Sequence, residues 1–235
     1  MDVLKIYFFK ILYTFNIMYK AYVLNQTHRT DRWETIQEDF KDAPFTLERT
    51  EGIQLQNPFK TNIENKYDAV AMTHLELLKQ AKRNGEKTLL LFEDDCVPVE
   101  DYKERWIQIK EYLDNNLDMW ETFNGGQLGI HDVKQVIKLE KNNLLLKAYG
   151  GSNSHWMYFN VDKVLPKLQE TFGLEHRLEI DIYYPIKCVN YAVFPFLGMQ
   201  SAGFSDISNI NRDWSVLYIE TRQQMKRQLR QYMRD

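Results

Sequence analysis

Apolar positions in this chain follow two rhythms. The first is unbroken: Leu89, Leu90, Leu91 and Phe92 follow Thr88 and run straight into Glu93, Asp94 and Asp95, with Asn84-Gly85 just upstream. A short run that is apolar at every position, entered through a turn, predicts a central parallel strand covered on both faces. Residues 21–25, 45–49, 155–159 and 192–195 predict further strands, and residues 133–139 and 144–149 predict a hairpin around Glu140-Lys141-Asn142-Asn143.

The second rhythm recurs every three to four residues. It predicts a helix over residues 31–40 with Trp33, Ile36 and Phe40 inward, and Asp31 and Glu34 have the spacing of a capping box. Residues 67–83 form a second helical pattern, with Val70, His74, Leu77, Leu78 and Ala81 on one face. Others begin at Glu100 or Asp101, cover residues 161–172 and cover residues 216–233; residues 177–184 stop at Pro185. Strands alternating with helices predict one α/β domain with a mostly parallel central sheet flanked by helices. It is expected over residues 20–212, with an apolar extension over 1–19 and a basic amphipathic helix over 213–235.

Composition narrows the class. A chain of 235 residues, 44% hydrophobic, suits one domain with a substantial core. A net charge of −3 gives no basic field for nucleic acid. Cys96 and Cys188 make neither a disulfide framework nor a metal spacing, which suits a reducing, cytoplasmic setting. Residues 6–18 are apolar but interrupted by Lys10 and shorter than the ~20 residues of a membrane span. Three readings stay open there: an element packed on the domain, a membrane-surface anchor, or an upstream extension before Met18. A chain starting at Met18 is expected to fold and to keep its chemistry.

Candidate chemistry concentrates at the acidic strand end. Three adjacent carboxylates repel unless a cation sits among them, and oxygen ligands suit magnesium or manganese. In an extended chain Glu93 and Asp95 share a side and Asp94 faces the other; the alternative is a solvated acidic turn. At the first strand-to-helix junction stand Asn25, Arg29 and Arg32, placed to hold an anion or else to pair with Asp31 and Glu38. His74 is a cleft residue or a hydrogen-bonded core histidine. Gly125-Gly126-Gln127-Leu128-Gly129 lacks the Lys-Ser/Thr of a phosphate loop. The tail carries Arg222, Lys226, Arg227 and Arg230 on one face, either solvated or in peripheral contact with a membrane.

The order of motifs resembles glycosyltransferase family 25. Tyr22-Val23-Leu24-Asn25 with Arg29 and Arg32 looks like its opening strand and arginine-bearing helix, and residues 45–52 resemble its second strand. Thr73-His74-Leu75-Glu76 stands for its Ser-His helix motif, and Leu91-Phe92-Glu93-Asp94-Asp95 for its Leu-Glu-Asp-Asp strand. His155-Trp156-Met157-Tyr158 and Glu179-Ile180-Asp181 are similar to its His-Ala-Tyr strand and acidic helix start. The resemblance implies a GT-A fold, a nucleotide-sugar donor (usually a uridine diphosphate sugar), a divalent metal such as manganese, and inverting transfer to a glycan or protein hydroxyl. Relatives include lipopolysaccharide glycosyltransferases.

From these readings Asp95, helped by Glu93, is expected to hold the metal. Asn25, Arg29, Arg32, His74, Asp94 and His155 are expected at the donor. Asp181 is the first candidate for the base that activates the acceptor, with Asp206 next. Two other classes compete: an inactive nucleotide-sugar or glycan-binding scaffold, and a metal-dependent phosphoesterase. The second lacks the further His/Asp cluster that two-metal sites need.

Overall fold

The computed structural model describes residues 19–140, 143–172, 179–207 and 209–232. The apolar run at 6–18, Lys141 and Asn142 of the hairpin turn, Arg177 and Met233 lie outside them.

Eight strands make the central sheet, in the order β2-β1-β3-β8-β5-β9-β7-β6. They are β1 (Tyr19–Leu24), β2 (Phe45–Thr50), β3 (Thr88–Glu93), β5 (Thr122–Asn124), β6 (Asp132–Lys138), β7 (Leu144–Tyr149), β8 (Trp156–Asn160) and β9 (Asn190–Phe194). β2, β1, β3, β5, β9 and β6 run one way, β8 and β7 the other. The sheet is therefore mostly parallel in direction, as expected. β3 is central, but only its β1 partner is parallel; β8 lies antiparallel on its other side. A strand buried on both faces reads the same beside either kind of neighbour, so its apolar run did not reveal this.

Alternation within that run divides the core. Leu90 and Phe92 join Ala21 and Val23 on one face, under α1 (Thr30–Asp39) and α3 (Tyr102–Asn115). Leu89 and Leu91 join Tyr22 on the other, under α2 (Asn62–Arg83), α4 (Val161–Thr171) and α5 (Ile180–Lys187). α6 (Ser215–Gln228) packs Met225 and Leu229 against Leu144, Leu146 and Phe194 of β7 and β9, so the tail helix is part of the same body.

Several local expectations change. The capping box at Asp31 and Glu34 does not form: α1 is capped by Arg29 with no side-chain cap, and Asp31 instead receives the Arg29 guanidinium at 3.1 Å. The true box is at Thr61 and Glu64, so α2 begins at Asn62, five residues before the expected Tyr67. Pro185 lies inside α5 rather than ending it. Just past the acidic turn, Pro98 closes the short strand β4 (Cys96–Pro98), which pairs with β10 (Gly198–Gln200). A second ribbon, β11 (Gly203–Ser205) with β12 (Ile210–Arg212), follows.

Candidate functional site

From β1 the chain crosses through α1 to β2 on one side, then returns through α2 to β3 on the other. Such a reversal of strand order opens a crevice beyond the carboxyl ends of the strands, where open α/β sheets hold ligands. Asn25 leaves β1 there, and Glu93 ends β3 in register with Leu24. Two adjoining cavities, ≈ 410 Å³ and ≈ 170 Å³, share Arg32, Glu93, Asp95 and Gln200 as a common wall.

The larger cavity is the cationic side. Arg32 donates to Asp94 at 2.8 Å, lies 3.6 Å from Asp95, and reaches the Phe204 carbonyl at 2.7 Å. Arg29 pairs with Asp206 at 2.8 Å as well as with Asp31. Hydrogen bonding to Asp31 and Asp206 holds the Arg29 guanidinium above its ordinary pKa. Asn25 donates to Asp94 at 2.6 Å and accepts from Arg49 at 2.6 Å, so β1 and β2 jointly set the Asp94 carboxylate. Lys66, on the first turns of α2, donates to the Asp206 carbonyl and to Asn209 at 3.2 Å.

The smaller cavity is the acidic side. Glu93 accepts from the Ser154 hydroxyl, and Asp95 Oδ2 accepts from Gln200 at 2.8 Å, but Asp95 Oδ1 is buried with no hydrogen-bond partner. Burial, reinforced by the Asp95 charge, pushes the Glu93 carboxyl up to about 8; burial pushes Asp95 up to about 6. Asp181 lines the same cavity with its own buried, unpartnered Oδ1, and burial raises its pKa. Acids held short of partners in a cleft are candidates for binding a cation or moving a proton.

The fold thus brings Asn25, Arg32, Glu93, Asp94, Asp95, Asp181 and Asp206 to the walls of one cleft; Arg29 lines neither cavity and meets the cleft through its pair with Asp206. The two histidines are corrections. His74 is fully buried under α2, bonds Tyr184 at 3.0 Å and does not line either cavity; burial lowers its pKa to about 3. The face that points His74 inward packs against Phe159 and Tyr184, so it is a core histidine. His155 is likewise fully buried and kept neutral, its pKa lowered to about 4 by burial, behind the cavity rather than in it. Asp206, the second candidate for a base, lies on the cationic side and is already paired with Arg29. The Gly125-Gly126 turn is a packing device: a Cβ at Gly125 would meet Trp156 at 2.6 Å, and one at Gly126 would meet His155 at 2.4 Å.

Sequence reasoning missed Arg49, Lys66, Ser154 and Gln200. Lys66 was legible in principle, because Lys66, Val70 and Thr73 share one helical face toward the larger cavity once α2 starts at Asn62. Gln200 gave no signal, since it is delivered by a three-residue strand paired to Cys96 far upstream.

No family model and no curated protein matches the chain. Among solved structures it is similar to A197 from STIV, with 12% identity and a TM-score of 0.42 over 80% of this chain and 87% of that one. It is also similar to a glycosyltransferase involved in glycosylation of the major capsid of PBCV-1, with 12% identity and a TM-score of 0.38 over 68% of each chain. An apo UDP-glucose pyrophosphorylase matches with 10% identity and a TM-score of 0.39, over 89% of this chain and 82% of that one. At such scores these likenesses decide neither activity nor ligand.

Proposed function

We propose that the chain is an inverting, metal-dependent glycosyltransferase of GT-A type. It moves a sugar from a nucleotide-diphosphate donor, a uridine diphosphate sugar by the family 25 resemblance, to a hydroxyl of a glycan or protein acceptor. The observation that carries this reading is the junction of the two cavities. There Asp95, one oxygen of which has no hydrogen-bond partner, stands beside Glu93 between a wall of cations and a further half-buried acid, Asp181, with its own unpartnered oxygen.

Among the described residues no three His, Cys, Asp or Glu side chains could hold a metal ion by themselves. The pair still fits magnesium or manganese, which bind through one or two carboxylates and take the rest from substrate phosphates and water. The unpartnered Asp95 Oδ1 is the free ligand atom such a seat needs, and Glu93 is its second carboxylate. A bound divalent cation supplies Lewis-acid neutralisation of the leaving diphosphate. In this reading Arg29, Arg32 and Lys66 bind the diphosphate, while Asn25 and Arg49 keep Asp94 turned toward the donor. Asp181 takes the proton of the acceptor hydroxyl, whose oxygen bonds to the anomeric carbon as the bond to the diphosphate oxygen breaks.

Among the described residues no helix is long and apolar enough to cross a membrane. Peripheral contact is carried in this proposal by the outer face of α6, where exposed Val216, Leu217 and Ile219 precede Arg222, Lys226 and Arg227, and by Arg230 in the 3-10 turn that follows. A cytoplasmic enzyme acting at an anionic bilayer fits that face.

The test is a donor screen: protein, manganese chloride and each nucleotide sugar in turn, with released nucleotide detected. One donor class should release nucleotide, faster with acceptor, and excess chelator should stop it. Binding of a nucleotide sugar with no release from any donor over a panel of acceptors would instead identify a scaffold.

A further inference from the structure

Behind the two acids a chain of buried hydrogen bonds leads into α6. Tyr218, 4% exposed, lies on the inward face of that helix. Its hydroxyl oxygen accepts from the Asn153 side-chain amide at 3.0 Å and from the Gln200 backbone N–H at 3.0 Å. Each of those residues continues to one acid. Asn153 Oδ1 accepts from the Ser154 backbone N–H at 3.1 Å, and the Ser154 hydroxyl donates to Glu93. The Gln200 side chain donates to Asp95 at 2.8 Å. The Tyr218 hydroxyl oxygen also lies 3.5 Å from the Gly126 carbonyl, to which it can donate, and 3.5 Å from His155 Nε2.

The Glu93 arm is held from a second side. Asn153 has φ +88°, a left-handed conformation that asparagine adopts more readily than most residues but that still needs its surroundings to fix it. Its carbonyl accepts from Asn124 at 2.5 Å, and its amide is bound by Tyr218. One phenol oxygen is therefore the point where the two arms meet.

We propose that Tyr218 is the positioning residue for both acids, so that α6 completes the site instead of merely covering the sheet. The proposal rests on reading the cleft as a glycosyl-transfer site. Tyr218 touches neither acid; it acts through Asn153-Ser154 and through Gln200. Replacing it with Phe keeps the ring against Phe196 and His155 and removes the shared acceptor together with the long 3.5 Å contacts to the Gly126 carbonyl and His155 Nε2. Two buried donors, Asn153 Nδ2 and the Gln200 N–H, are then left without a partner, which loosens both arms at once.

The experiment compares the full chain carrying Tyr218→Phe with wild type and with Tyr102→Phe. Tyr102 is a suitable control, a buried tyrosine whose hydroxyl has no hydrogen-bond partner. Steady-state kinetics with the donor found in the screen give kcat and KM, and hydrogen exchange by mass spectrometry follows residues 93–95 and 152–155. Tyr218→Phe should lower kcat about ten- to a hundred-fold with donor KM changed by less than about twofold, the pattern of a group lost from the transition state alone. Exchange should rise at both segments and at Gln200, whose N–H loses its acceptor, and not elsewhere, and Tyr102→Phe should change neither quantity. A Tyr218→Phe enzyme with wild-type kcat, or with exchange raised throughout the domain, overturns the proposal. If wild type releases no nucleotide from any donor, the proposed function fails separately. Exchange then decides alone: a rise at both acid segments and Gln200 but not across the domain supports the coupling, and unchanged rates at the acid segments overturn it.

Discussion

The two halves of the cleft treat their charges in opposite ways. On the cationic side Arg29, Arg32, Arg49 and Lys66 are all engaged, by Asp206, Asp94, Asn25 and backbone carbonyls. On the acidic side Asp95 and Asp181 each keep a buried oxygen without a partner, and Glu93 is held up to about 8. An engaged cation can exchange one anion for another, so under the proposed function the first half would take up phosphate with little rearrangement. An under-partnered acid is costly in the empty protein and is relieved only when a cation or a proton donor arrives. Under the proposed function this contrast would separate binding from chemistry along one groove.

The strongest way to break this contrast is to remove the proton acceptor. Asp181→Asn should keep the fold and donor binding but lower transfer by about 10² to 10⁴, the usual worth of a general base. Burial raises the Asp181 pKa, so in wild type the acidic fall in rate should set in at a higher pH than for an exposed aspartate. The variant should lack that limb, and a rate–pH profile of unchanged shape would remove Asp181 from the role.

Next in size is the cation seat. Asp95→Ala should cost about 10² to 10³ in turnover, as for the loss of one preorganised charge-stabilising group. Full turnover by wild type in excess chelator would refute the seat itself.

On the other half the effects should be smaller and fall on affinity. Arg32→Ala should weaken nucleotide binding by about tenfold or somewhat more, in line with ~1.5–3 kcal/mol for hydrogen bonds to charged groups, while leaving kcat at saturating donor nearly intact. Isothermal titration calorimetry reads the first quantity. If both Arg29→Ala and Arg32→Ala bind nucleotide normally, the cationic half is wrongly assigned.

The smallest effect is on stability. Because Glu93 is raised from 4.5 to about 8 in the folded protein, the native state holds a proton that the unfolded chain has already released. Its contribution is full below about pH 4.5 and is lost as pH rises toward 8. Melting temperature without divalent cation should therefore drop across that window, by about 2–4 °C for each kcal/mol lost. Manganese should offset the drop, and Glu93→Gln should flatten it. A cation-free Tm that rises with pH and is insensitive to Glu93→Gln would contradict the picture.

How much of this was legible depended on the length over which a pattern repeats. β1, β3, the β6–β7 hairpin and α3 carry enough alternation or helical spacing to be read directly. The three-residue strands β4, β5, β10, β11 and β12 carry no usable period, and their partners lie far off in sequence. Spacing alone also misplaced a cap. Asp31 and Glu34 have the right separation, but Arg29, two residues before, takes the Asp31 carboxylate, while Thr61 and Glu64 form the box that the reading passed over. Asn25 and the three acids were legible because they sit at or just past strand ends, and Arg29 and Arg32 because they open the helix that follows β1, where geometry follows from fold class. His74 and His155 look like site residues only as letters; what buries them is the packing of Tyr184, Phe159 and Tyr218, which no local window contains.

The β4–β10 ribbon has a consequence in time. It joins residues about a hundred positions apart, Gly198 against Pro98, and it delivers the amide that restrains Asp95. A polypeptide emerging from the ribosome displays the acidic turn long before Gln200 or Tyr218 exists to hold it. At ~5–20 residues per second, that gap amounts to several seconds at least, during which β1 and β3 can pair while the acids lack their supports. Catalytic competence should therefore lag behind formation of the first strands, and arrive only once residues through Tyr218 have cleared the exit tunnel.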